Sequence, residues 1–207
     1  MKNSNCKNQL MAVAEAFILM LILQGILWLI SPYFPATLFN KKMITMPIMI
    51  VLTIIIICYA KIRKQTLSVF PKKFSKGYII ATCVVIGLYI ATPSNYTEGF
   101  TSVMTIIYGS IVTPVFEELL IRGYIWNSFS KVMTNELHIY IWNVALFTIW
   151  HLLYIIPNFI SGNWDVAIFL KLVAGLGYGI VLGFIRLKTK NCWSTILAHG
   201  TLNLFMI

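Results

Sequence analysis

Long apolar runs, broken at fairly regular intervals by short polar or proline-containing stretches, dominate the chain. Seven runs read as helices: residues 10–30, 43–60, 78–92, 100–126, 139–156, 166–185 and 192–207. Most approach the length of about 20 residues that carries a helix across the hydrocarbon core of a bilayer. Turn and breaker signals separate them: Ser31-Pro32-Tyr33-Phe34-Pro35, the basic run 61–77, Pro93-Ser94-Asn95, and Pro157-Asn158 followed by Ser161-Gly162-Asn163. The pattern predicts an all-α, polytopic transmembrane bundle of about seven spans.

Composition points the same way. Apolar residues make up 59% of the 207, charged residues only 11%, and the mean hydropathy is +0.83, whereas soluble domains carry roughly 25% charged residues. At about 25–30 residues per span and loop, the spans use up the length. One membrane domain is therefore expected over residues 1–207, with no separate soluble domain. The net charge of +10 sits in short loops between apolar runs. No basic face with interleaved aromatics exists there, so the expected partner is the lipid bilayer and not nucleic acid. Cys6, Cys58, Cys83 and Cys192 are scattered and give neither a disulfide framework nor a zinc knuckle. The first run is too long for a signal-peptide core and is read as a retained span.

The basic residues set an orientation. With the N-terminus inside, twelve lie in inner loops: Lys2, Lys7, Lys61, Arg63, Lys64, Lys72, Lys73, Lys76, Lys131, Arg186, Lys188 and Lys190. Only Lys41 and Lys42 fall outside, which predicts a cytoplasmic N-terminus. Lys171 and Glu15 stand close enough to span ends to snorkel to the interface. Gly175, Gly179 and Gly183 repeat every four residues in the sixth span, a pattern that lets a neighbouring helix approach closely. The Asn95-Tyr96-Thr97 triplet matches a glycosylation acceptor but is too common by chance to carry weight.

Against this apolar background a few polar residues cost too much to be idle. The fourth span holds Thr113-Pro114-Val115-Phe116-Glu117-Glu118-Leu119-Leu120-Ile121-Arg122-Gly123. On translocon scales each ionised group there costs roughly 2.5–3.5 kcal/mol at mid-bilayer. Glu118 and Arg122, four apart, can pair on one face. Glu117 points about 100° away from Glu118, so it faces a different partner. Pro114 removes a ladder bond one turn earlier, which opens room for water beside Glu117. The alternative for this segment is an interfacial Glu–Arg pair at a helix end. In the fifth span Phe147 shares a face with His151; in the seventh, His199 shares one with Asn203 and Gly200 leaves space beside them. Either histidine alone reads as interhelical hydrogen bonding. Together they suggest one water-accessible cavity. A carboxylate and an imidazole there can deprotonate water, and a second imidazole with a side-chain amide can stabilise an oxyanion. Amide hydrolysis needs both.

At these residues the chain resembles the CPBP family, which groups CaaX prenyl proteases with bacteriocin-processing and Abi-type membrane proteins. Its marks, Glu-Glu-x-x-x-Arg, Phe-x-x-x-His and His-x-x-x-Asn on successive spans, occur in order as Glu117-Glu118…Arg122, Phe147…His151 and His199…Asn203. The match covers about residue 100 to 207. The resemblance implies a glutamate-dependent intramembrane endopeptidase in which Glu117 and His151 activate water and His199 with Asn203 form the oxyanion site. Glu118 and Arg122 match supporting positions that orient and stabilise the helix, as Phe147 does for His151. The family is also described as zinc-dependent; Glu117, His151 and His199 would then be the ligands, with water in the fourth position. The absence of a His-Glu-x-x-His spacing makes no metal the preferred expectation. Better-known members have about eight spans, against seven here, and the sixteen-residue last span rises only about 24 Å.

Two other classes compete. One is a catalytically silent scaffold or bacteriocin self-immunity protein; retention of both acid and oxyanion groups argues against it. The other is a proton-coupled transporter, disfavoured because no repeated half or paired broken helices appear. The substrate would be a membrane-associated or prenylated peptide or protein. Richness in Ile, Asn and Lys suggests a low-GC bacterium and its plasma membrane. The oligomeric state is not legible in the sequence.

Overall fold

The computed structural model describes residues 6–30, 38–160, 162 and 166–205. Lys2, the 31–35 breaker, Ser161, Asn163 and the last two positions of the seventh predicted span lie outside the described residues. Among the described residues seven main helices form: α1 (Cys6–Ile30), α2 (Leu38–Ile62), α3 (Lys76–Ala91), α4 (Phe100–Val132), α5 (Glu136–Ile160), α6 (Val166–Thr189) and α7 (Cys192–Leu204). A single turn, Ser94–Thr97, precedes α4, and no strand occurs among the described residues. Six helices are long and apolar enough to cross a membrane, so this is an integral, multi-pass membrane protein. Their outward faces are rich in exposed Ile, Leu, Val and Phe, such as Ile18, Ile54, Ile80 and Phe169. Apolar side chains turned away from the bundle suit lipid, not water.

Most helices outrun the apolar runs that predict them, because polar residues continue the ladder to the interface. Pro157, expected to break the chain, instead lies inside α5. It falls in the final turn, where a missing N–H costs one ladder bond. The seventh element departs the other way. It has 13 residues, a rise of about 20 Å, and is not among the helices long enough to span. Asn191 caps its start, Oδ1 accepting from the Ser194 N–H at 3.0 Å.

The basic loop is tied into the bundle by hydrogen bonds. Between α2 and α3 the chain passes beneath the start of α7: the N–H groups of Cys192 and Trp193 donate to the carbonyls of Ser68 (2.9 Å) and Val69 (2.8 Å). Asn127 on α4 donates to the Thr66 carbonyl at 2.6 Å. A Cβ at Gly123 would stand 3.2 Å from the Leu67 carbonyl, so glycine there lets this segment lie close against α4. Glu15 pairs with Arg63 at 3.3 Å and accepts from Tyr124 at 3.2 Å.

Candidate active site

The site is built around α4, which is not a uniform α-helix. Two wider π stretches, Ile107–Val112 and Leu119–Ile125, flank a short α segment, Thr113–Glu118, that carries both carboxylates. π insertions are uncommon and concentrate at functional sites. Pro114 supplies a cause for the first. Having no N–H, it leaves the carbonyls four and five residues earlier without a ladder donor. Those are Ser110 and Gly109, and other helices serve both: Tyr89 on α3 donates to the Ser110 carbonyl at 3.0 Å and Asn203 on α7 to the Gly109 carbonyl at 2.7 Å. Gly200 allows this approach, since a Cβ there would collide with the Tyr89 hydroxyl and the Ser110 carbonyl. In the second stretch Arg186 Nε donates to the Arg122 carbonyl at 2.9 Å, and Gln65 to the Tyr124 carbonyl at 2.5 Å.

Behind the site runs a buried polar chain. Arg122 Nη1 donates to Glu118 Oε1 at 3.1 Å, and both side chains are fully buried. The same carboxylate oxygen lies 3.0 Å from His199 Nδ1. Facing a carboxylate, that nitrogen carries a hydrogen, which leaves Nε2 as the ring's working atom. The guanidinium lies 4.0 Å from the centroid of Phe147, a cation–π contact over its face. Phe147 also packs on His151 (4.6 Å between centroids) and edge-on to His199 (6.0 Å). One aromatic ring thus touches the arginine and both histidines.

Glu117 turns the other way. Its Oε1 accepts from the Trp150 indole at 3.0 Å, and its Oε2 stands 3.9 Å from His199 Nε2. His151 Nδ1 lies 3.0 Å from the Phe147 carbonyl, so it is the donor and Nε2 holds the lone pair. Glu117, Trp150, His151 and Asn203 line one cavity of about 350 Å³ together with Tyr108, Tyr154, Tyr178 and Lys171, whereas His199, expected on the same cavity, is not on its wall. A groove of about 930 Å³ beside Glu15 and Arg63 is larger, but none of the candidate site residues lines it. The three glycines of α6 meet α5: an added Cβ at Gly175 would come 2.6 Å from His151 Cγ, one at Gly179 3.3 Å from the Val144 carbonyl, and one at Gly183 2.9 Å from the Tyr140 ring. Close helix packing, expected from their spacing, therefore sets the position of the His151 ring.

A zinc ion would need Glu117, His151 and His199 to converge. Among the described residues no three His, Cys, Asp or Glu side chains are grouped closely enough to hold a metal. As placed, the donor set does not fit zinc.

Trp150, Tyr89 and Arg186 are polar partners that motif spacing does not reveal. Pro114 did carry a signal for Tyr89, since a proline within an apolar helix demands an outside donor. Nothing in the sequence links Trp150 to Glu117. Lys171 stands near the end of its helix as expected, but on the cavity wall, with Nζ 5.7 Å from the Tyr154 ring centroid.

A family model described as Type II CAAX prenyl endopeptidase Rce1-like matches residues 98–205, more than half of the chain. No curated protein and no solved structure matches it. The chain belongs to the Rce1-like family, and it is in general terms a CAAX-type intramembrane endopeptidase.

Proposed function

We propose that this member of the Rce1-like family hydrolyses a peptide bond of a membrane-associated substrate by glutamate-assisted attack of water, without a metal. Glu117 takes a proton from a water held between its carboxylate and His151 Nε2. The water oxygen bonds to the carbonyl carbon, and the carbonyl oxygen becomes an oxyanion. In this step a doubly protonated His199 receives it, Nδ1–H donating to Glu118 and Nε2–H to the oxyanion. Asn203, with one amide hydrogen engaged by the Gly109 carbonyl, offers the other. Collapse breaks the C–N bond, and Glu117 returns its proton to the departing nitrogen.

The observation that carries this reading is the split between the two adjacent carboxylates. Glu118 is consumed by Arg122 and His199, whereas Glu117 faces a cavity shared with His151 and Asn203. A purely structural acid would have no need of the second environment.

The test is peptide release per folded molecule in liposomes, with folding followed by size-exclusion profile. Glu117→Gln keeps the shape and should abolish cleavage, as should His151→Ala; the wild type should keep its rate under strong chelation. Wild-type cleavage by Glu117→Gln would overturn the mechanism, and a biological effect persisting in that inactive variant would favour a scaffold. One zinc per purified chain, with activity lost on its removal and restored on its return, would overturn the metal-free form.

A further inference from the structure

The cavity and the basic loops occupy opposite ends of the bundle. Gln24 and Leu27, on its wall, stand in the last two turns of α1, Tyr154 in the last two turns of α5, and Asn203 in the last turn of α7. Tyr108 and Lys171 lie in the first three turns of α4 and of α6. In an alternating bundle these ends share one side. The basic stretches 61–76 and 186–190 attach to the other ends of α2, α3 and α6. By the bias of Lys and Arg toward the cytoplasm, the cavity mouth belongs to the extracytoplasmic half.

The cytoplasmic end beneath Glu117 is closed. Every residue from Phe116 to Trp126 is buried, so all faces of α4 are covered for about two turns below the carboxylates. Arg122, Phe147 and Leu120 have no exposed surface. Below them the 66–69 segment is bonded between α4 and α7 through Asn127, Cys192 and Trp193. A chain coming from the cytoplasm would have to break these bonds and displace a buried ion pair. Among the described residues, the cavity lies between Glu117 and the other end of the bundle.

We infer that the substrate reaches Glu117 from the extracytoplasmic side, so that the enzyme acts on peptides presented at the outer face of the membrane and not on a cytoplasmic prenylated C-terminus. This rests on the peptidase reading of the site.

The experiment is side-specific labelling of the full chain in bacterial cells with a charged, membrane-impermeant methanethiosulfonate. Cys6, Cys58 and Cys83 are replaced by serine, and the buried Cys192 is kept as measured background. A reporter thiol is then introduced by Ala174→Cys, on the cavity wall, or by Lys64→Cys, in the basic loop. Ala174→Cys should be modified in intact cells and protected in inverted vesicles, and Lys64→Cys should show the reverse. Modification of Ala174→Cys only in inverted vesicles, or from neither side, overturns the inference, as does modification of Lys64→Cys in intact cells. The labelling needs no turnover and is repeated with Glu117→Gln present. Failure of the cleavage test with the labelling pattern intact would remove the peptidase reading and leave the side of access standing.

Discussion

The two halves of α4 have similar apolar composition and each contains a π stretch, yet they end in opposite states. From Leu119 to Ile125 the helix is buried on every side. In the first stretch, Ile107–Val112, only Ser110 is buried, and Ile111 is exposed. The difference lies in what meets the helix. The second stretch is met by the 65–69 segment, Arg186 and the core around Phe129 and Leu146. The first packs against α2 and α7, accepts hydrogen bonds from Tyr89 and Asn203, and contributes Tyr108 and Gly109 to the cavity wall. The lesson concerns where charge can work. Arg122 and Glu118 pair in the half that is fully buried. Glu117, one residue earlier, is 7% exposed and opens to the half in which water fits.

That contrast can be broken most forcefully in the dry half. Glu118→Gln leaves the Arg122 charge without its partner, and removal of one member of a buried pair costs about 3–5 kcal/mol. The expected outcome is a large fall in membrane protein level and in thermal midpoint, accompanied by lost cleavage. Normal level and midpoint with impaired cleavage would instead make Glu118 a participant in the reaction.

The wet half should respond in activity and not in fold. Asn203→Ala should lower the turnover number about 100–1,000-fold, the cost of one oxyanion donor, with residual cleavage and near-normal protein level. Tyr89→Phe serves as its control. It too frees a carbonyl beside Pro114 but presents nothing to the cavity, so it should cost only the 0.5–1.5 kcal/mol or so of an ordinary hydrogen bond in stability. Equal turnover losses in the two variants would mean that Asn203 acts only by bracing the first π stretch.

A smaller loss of turnover than at Asn203 is expected at the boundary between the halves. Trp150→Phe keeps the ring that packs on Phe116 at 5.9 Å but deletes the donor to Glu117. A hydrogen bond to a charged group is worth about 1.5–3 kcal/mol. Turnover should fall correspondingly while substrate KM and protein level stay put. A rise in KM with unchanged turnover would show that the indole serves substrate binding and not the carboxylate.

Much of this was legible in the sequence, and the parts that were not share a cause. Apolar runs announce helices because a bilayer demands internally bonded backbone, and seven were visible, although the last proved a short 13-residue helix. The i, i+4 pairs Glu118–Arg122 and Phe147–His151 follow from the helical repeat alone, which also separates the two adjacent carboxylates by about 100°. Pro114 signalled a gap in the ladder. It could not say who fills it.

What the sequence by itself determined, then, is the membrane class, the basic-side bias, the family motifs and the Glu118–Arg122 and Phe147–His151 contacts within one helical turn. Only the tertiary structure decided that Glu117 is held by Trp150, 33 residues away, Glu118 by His199, 81 away, and the Gly109 carbonyl by Asn203, 94 away. It also decided which end of the bundle is plugged and which keeps a cavity. A helical period fixes which residues share a face. Which face meets which is settled by packing between helices, here through glycines at 123, 175 and 200 that let particular neighbours come close.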